Sequence, residues 1–226
     1  MTTEQKTPSD LVGDAVRRYR DLHGWTAQQL AERCVEAGAP GITAAVLANI
    51  ETGRRSKEGR RRREITVDEW LLLARVLSVP PVLLLLPIGR ESDVELVPGS
   101  RVHPDLARKW IVGEEPAVDS QRRVTGDLGF WQRQSTPTRL YGQLNGAQEE
   151  MRQAEAEVRA ADRIGRSERV SSAQERHIAA LRRLSDVLDA MATAEIVPPA
   201  MPAIWVDEMR DLGMLQFPDH VQRLEE

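Results

Sequence analysis

Apolar residues in the first 90 positions recur at intervals of three and four, which is the spacing of one face of an α-helix. Four such stretches each follow a residue that caps helix N-termini well, namely Ser9, Thr26, Thr43 or Thr66. The predicted apolar faces are Leu11, Val12, Ala15, Val16 and Tyr19; Leu30, Ala31 and Cys34; Val46, Leu47 and Ile50; and the run from Val67 to Val79.

Helix-breaking residues separate these stretches. Gly24 and Gly53 follow the first and third, and the AGAPG run at 37–41 ends the second. A short apolar segment, 81–86, then closes the unit against its core. The pattern predicts a five-helix domain over residues 9–88 in a mainly α protein. We expect residues 1–8 to be a disordered N-terminus.

Three segments of this domain resemble the lambda-repressor-like, XRE-type helix-turn-helix regulators. They are WTAQQLAE at 25–32, TAAVLANIETGRR at 43–55 and TVDEWLLLARVL at 66–77, whose final leucine begins the LSVP sequence at 77–80. The resemblance implies the five-helix fold of that family and a bacterial, here actinobacterial, regulator of transcription that binds double-stranded DNA. The chain departs from the family in a longer connection before the third helix, in Ala27 where glutamine is common, and in an enlarged basic loop after Gly53.

By this resemblance the third helix, about residues 43–51, enters the major groove, which admits one α-helix. Its alanines would touch thymine methyl groups, while Asn49 would pair with adenine or reach a phosphate. The alternative for Asn49 is an ordinary solvated surface residue. The candidate DNA-binding residues of the two helices are Thr26, Gln28, Thr43, Ala44, Ala45, Ala48 and Asn49.

The loop after the third helix is strongly basic, and we expect it to lie on the phosphate backbone. A solvated charge run, or contact with RNA or an acidic protein, is the alternative. Residues 1–90 carry 14 Lys and Arg against 11 Asp and Glu, whereas residues 91–226 carry 17 against 24, so the net charge is positive at the front of the chain and negative at the back. The candidate phosphate contacts are Arg54, Arg55, Lys57, Arg60, Arg61, Arg62 and Arg63.

The back of the chain is less regular. Residues 89–138 are predicted to be a linker with short helices, one of them carrying Leu106 and Trp110. Residues 139–195 carry a heptad seam that slips in phase near 165–172. Either the segment folds back as a helical hairpin, or it forms a long helix that makes a homodimer through residues 140–191; we slightly favour the dimer. The seam residues are Leu140, Leu144, Ala147, Met151, Ala154, Val158, Ala161, Ile178, Leu181, Leu184, Leu188 and Met191.

The Pro-rich tail, residues 196–226, contains a short amphipathic helix with Ile204, Met209 and Leu212 on its apolar side. We expect the apolar side of this helix to be buried against another protein surface. Packing on its own chain is the simpler interpretation, and binding of a partner protein is the alternative.

Composition excludes several functional classes. Cys34 is the only cysteine and there are four histidines, so we expect no disulfide, no metal site and no cofactor. Cys34 itself is expected to be a buried core residue. We see no nucleophile–base set and predict that the protein is not an enzyme. The N-terminus lacks a signal peptide and the apolar run near 79–87 is too short to span a bilayer, so we expect a cytoplasmic, nucleoid-associated protein without membrane contact.

The sequence therefore predicts a sequence-specific DNA-binding transcriptional regulator. The alternative is a protein-interaction or antitoxin-like module that has the helix-turn-helix fold and reads no DNA sequence.

Overall fold

The computed structural model describes residues 6–55, 61, 63–165 and 167–224. Helices account for 62% of the chain, so the protein is mainly α, as predicted. The chain divides into two compact units, residues 1–128 and residues 129–226. None of the helices in the described ranges is both long and apolar enough to cross a membrane.

Unit 1 begins with a cluster of helices around one apolar core. Leu30, Leu47 and Leu73, from three different helices, are completely buried in it. Cys34 belongs to the same core, as predicted, and burial raises the pKa of its thiol to about 11. The helices are α1 (Pro8–Leu22), α2 (Ala27–Glu36), α3 (Ala44–Thr52), α4 (Val67–Val76) and α5 (Pro81–Leu85).

The start of α1 differs from the prediction, because Thr7 rather than Ser9 is its N-cap. Thr7 and Asp10 form a reciprocal capping box, which fixes the first turn one residue before Ser9. Ser9 is buried inside the helix, where its Oγ accepts a hydrogen bond from the backbone N–H of Ile65 at 3.0 Å. Order therefore extends to residue 6 in what was predicted to be a disordered N-terminus; residues 1–5 lie outside the described ranges.

The segment predicted as a linker contains strands. An antiparallel hairpin, β1 (Val94–Val97) and β2 (Ser100–Val102), precedes helix α6 (Pro104–Ile111). Val94 and Ala107 pack with Leu11 and Leu86 in a second apolar cluster, so the hairpin and α6 are attached to the helical domain. The compact unit thus does not end at residue 88. Pro98-Gly99 between Val94, Leu96 and Val102 is the sequence signal of this hairpin.

Unit 2 contains a helical hairpin. After α7 (Leu128–Gln134), α8 (Thr136–Ile164) ends at Gly165 in a left-handed conformation and α9 (Ser167–Thr193) packs back on α8. Leu144, Met151 and Leu184 of the heptad seam are completely buried inside the chain. The structure therefore has the helical hairpin and not the single long helix, and the seam is covered by the second half of the same segment. The homodimer through residues 140–191 stays a prediction.

The tail packs on the same hairpin. Helix α10 (Ala203–Asp211) follows a short parallel pairing of β3 (Met201–Pro202) with β4 (Arg223–Leu224). Its buried residues are Trp205, Val206 and Met209. Met209 is buried as predicted, whereas the other two predicted residues, Ile204 and Leu212, are exposed. The indole of Trp205 enters the hairpin core and donates a hydrogen bond to Glu155 of α8 at 2.5 Å, which sets the rotation of the helix.

Candidate nucleic-acid interface

Helices α2 and α3 are joined by residues 37–43, a connection longer than a tight turn. The chain leaves α2 through Gly38 in a left-handed conformation, and the backbone N–H of Ala39 donates to the carbonyl of Cys34 at 2.8 Å. Ile42 is buried in the core and anchors the end of the connection, next to the N-cap Thr43. The connection is therefore anchored on the domain through Ala39 and Ile42, and this fixes where α3 begins.

The outer face of α3 carries small side chains. Thr43, Ala45, Ala48 and Asn49 are exposed, in agreement with the predicted face. Ala44 is an exception: it is half-buried and packs against the core, because it lies one turn before Leu47 on the same side of the helix. Of the five residues predicted for this face, four are thus exposed and Ala44 is half-buried.

An ion pair fixes the C-terminal half of α3 on α1. Arg20 Nε lies 2.6 Å from Glu51 Oε1, and Arg20 Nη2 lies 2.7 Å from Glu51 Oε2. Two parallel hydrogen bonds fix the orientation of the guanidinium relative to the carboxylate. Both side chains are largely buried, with exposed fractions of 13% for Arg20 and 8% for Glu51. Hydrogen bonding to Glu51 raises the pKa of Arg20. Glu51 therefore has a structural role, since it joins α3 to α1.

Gly13 lets the backbones of α1 and α3 approach closely. A Cβ at this position would collide with the carbonyl oxygen of Ile50. Gly13 is buried in the middle of α1, where glycine is normally unfavourable relative to alanine. This residue did not stand out in the sequence, and the close approach it permits helps to set the position of α3.

Arg61 of the basic loop points inward, contrary to the expectation that it contacts phosphate. Its side chain is 2% exposed, and Nη1 lies 2.7 Å from Asp10 Oδ1 on α1. It also donates to the carbonyl oxygen of Ile50 in the last turn of α3, where a cation is favourable. Asp10 explains this placement: a buried carboxylate needs a charged partner, and Arg61 is that partner.

The other arginines of this loop differ in their surroundings. Arg54 is exposed, Arg55 is partly buried with Nη2 3.4 Å from Asp10 Oδ2, and Arg63 pairs with Glu69 at the start of α4. The remaining predicted contacts, Lys57, Arg60 and Arg62, lie outside the described residues. Within the described part of the loop, Arg54 and Arg63 therefore have the most exposed side chains.

The candidate residues of α2 take part in contacts within the helix. Thr26 caps α2, its Oγ1 accepting from the backbone N–H of Gln29 at 3.2 Å. Gln28 is exposed and donates to Glu32 Oε1 at 3.1 Å. Gln28 would have to break only this exposed hydrogen bond to Glu32 in order to bind a phosphate. The Thr26 hydroxyl, in contrast, already caps α2.

The described ranges contain no group of three or more His, Cys, Asp or Glu side chains arranged to hold a metal ion. The features that distinguish this region are a firmly held helix, a small-residue outer face and a basic loop. No protein-family model matches the chain, and neither a curated protein nor a solved structure shows significant similarity to it.

Proposed function

We propose that the protein is a sequence-specific double-stranded DNA-binding regulator of the lambda-repressor-like, XRE type, with α3 as its recognition helix. The observation that carries the proposal is the exposed small-residue face of α3 on a helix whose other side is fixed by Leu47, Ile50 and the Arg20–Glu51 pair. The major groove admits one α-helix, and small side chains on the outer face let the backbone of such a helix come close to the base edges.

The chemistry of the face suits base and backbone contacts together. Ala45 and Ala48 allow the helix backbone close to base edges, and their methyl groups match thymine methyls. Asn49 has both a donor and an acceptor, as adenine recognition requires. The Thr43 hydroxyl accepts from the backbone N–H of Val46 at 3.3 Å, so its own O–H can donate to a phosphate.

Exposed arginine beside α3 would supply the electrostatic part of binding. Arg54 follows α3 directly, and Gln28 lies at the start of α2. Each phosphate contact releases counterions, so affinity should fall as salt rises. Occupancy of a promoter would then block or recruit polymerase, and no bond would be made or broken.

The experiment is selection from a random duplex DNA pool with the full-length protein at near-physiological salt, followed by affinity measurements on the enriched sequence. Enrichment of one motif is expected. Ala48→Glu places a carboxylate against the DNA while keeping a good helix former, and should weaken binding at least tenfold. Ala160→Glu is the matched control, because Ala160 is exposed on α8, and it should bind like the wild type.

Asn49→Ala tests, in the same experiment, whether Asn49 reads a base. If Asn49 reads a base, the variant should lose about 1–3 kcal/mol of binding free energy and relax specificity at a single position of the motif. Absence of an enriched motif with the wild type, or unchanged affinity of Ala48→Glu, would contradict the proposal.

A protein-interaction module is the second candidate. Its support is that Arg61 is buried with Asp10 and that Arg63 is paired with Glu69, so part of the basic loop serves the fold. The two functions differ in salt dependence: a DNA-binding protein shows a linear fall of log affinity with log salt, and this module shows no affinity for DNA at any salt concentration.

A further inference from the structure

Unit 1 contains a partly open cavity that lies away from α3. It lies between the β1–β2 hairpin, α6 and the loop 117–125, and its volume is about 170 Å³. Its lining residues fall between positions 96 and 125, a range that the structure describes completely. The cavity therefore belongs to one compact unit and does not involve the proposed DNA-binding face.

Hydrogen bonds fix the loop that covers the cavity. The Ser100 hydroxyl donates to the carbonyl of Val118 at 2.6 Å, and the Ser120 hydroxyl donates to the carbonyl of Gly99 at 3.1 Å. The carboxylate of Asp119 accepts from the backbone N–H groups of Gln121 and Arg123, which closes the turn. The cavity thus has defined walls, and a ligand would not have to order them.

The lining determines the chemistry of a ligand. None of the lining residues has an ionisable side chain, so a charged group would be desolvated there without a partner. The two hydroxyls of the lining, Ser100 and Thr125, already donate to the carbonyls of Val118 and Ala117. The remaining lining is apolar and includes the aromatic side chain of Trp110.

We propose that this cavity is a binding site for a small, uncharged, apolar molecule of about the size of one aromatic ring, in contact with Trp110. An apolar protein cavity of about 150 Å³ is large enough to hold benzene. The cavity described here has a comparable volume and an apolar lining. The assignment is independent of DNA binding.

The test uses the full-length protein and fluorobenzene as the probe, followed by ¹⁹F NMR. The expected result is a saturable change in the shift or linewidth of the probe, which toluene reverses by competition. Ala117→Leu adds volume inside the cavity and should weaken binding at least tenfold. Ala160→Leu, an exposed site on α8, is the matched control and should leave binding unchanged.

A second measurement covers the case in which Ala117→Leu fails to fold, as judged by circular dichroism. An intermolecular nuclear Overhauser effect between toluene protons and the Trp110 indole of the wild type is expected, and Trp110→Phe identifies its resonances. Absence of saturable binding by the wild type overturns the proposal. Full affinity in a folded Ala117→Leu variant, or no contact with Trp110, overturns it as well.

Discussion

At the scale of single residues, three positions on α1 fix α3 and the side chain of Arg61: Asp10, Gly13 and Arg20. Arg20 holds Glu51, Asp10 holds Arg61, and Gly13 accommodates the backbone of Ile50. These contacts join residues more than 30 positions apart, so no local pattern reveals them. They are the reason that the exposed face of α3 has a defined orientation.

Gly13→Ala should destabilise the protein. The added methyl group would force α1 and α3 apart, and such overpacking costs about 1–3 kcal/mol of unfolding free energy. Gly142→Ala is the control, because a Cβ there has no neighbour within 4 Å in the described structure. In the interior of α8 that change should stabilise by up to about 1 kcal/mol. Urea denaturation of the two variants measures both effects, and equal shifts would contradict the close approach at Gly13.

Asp10 predicts a specific loss of stability in acid. Burial alone would raise its pKa, but hydrogen bonds from Thr7 and Arg61 outweigh burial and leave the pKa lowered. A lowered pKa in the folded state contributes stability above the unfolded value, about 3.9, and that contribution is lost as pH falls through the folded-state value.

The measurement is unfolding free energy against pH for the wild type and Asp10→Asn. The wild type should be more stable by about 1–3 kcal/mol at pH 7, since the variant weakens charged hydrogen bonds. The difference should narrow below about pH 4, because the protonated acid resembles the amide. Asp186→Asn, at an exposed site in the middle of α9, is the matched control for the loss of a carboxylate and should change the unfolding free energy little. A difference that stays constant with pH would disprove the role of the Asp10 charge.

At the scale of elements, the α8–α9 hairpin covers the predicted dimer seam. Gly165 ends α8 in a left-handed conformation, which reverses the chain and lets α9 cover the seam. Alanines at several seam positions bring the two helices together, and the tail helix α10 completes the core with Trp205 and Met209. Most of the apolar groups that favoured a partner are thus satisfied within one chain.

Leu184→Ala tests this arrangement. Leu184 is completely buried in the hairpin core, and truncation of such a leucine costs about 2–5 kcal/mol of unfolding free energy. We expect sedimentation velocity to give the same oligomeric state for the variant as for the wild type. Leu212→Ala, at a half-exposed site on the tail, should cost much less. Dissociation of a wild-type oligomer by Leu184→Ala would show instead that the seam joins two chains.

At the scale of the whole molecule, the net charge is negative although the proposed function is binding to DNA. The chain has a net charge of −4 and a sequence pI of about 5.7, so attraction to nucleic acid has to come from a local surface. Of the arginines around α3, Arg20 and Arg61 are committed to buried carboxylates. The proposed interface therefore depends more on the shape of α3 than the sequence count of basic residues suggests.

The sequence by itself determined the helices of the first 88 residues, because caps at Thr26, Thr43 and Thr66 and the spacing of apolar residues act within a few positions of each other. It also determined the burial of Leu47 and Ile50, and hence which side of α3 faces outward. The half-burial of Ala44 was not predicted, since one small residue at the edge of a helix face carries little periodic signal.

Only the tertiary structure decided how distant parts of the chain meet. Whether Arg61 faces solvent or Asp10, whether the heptad seam pairs with itself or with a second chain, and which face of α10 is buried all depend on partners far away in sequence. The physical reason is that charge pairing and apolar packing reward contact irrespective of chain order, whereas periodicity and capping describe only neighbours along the chain.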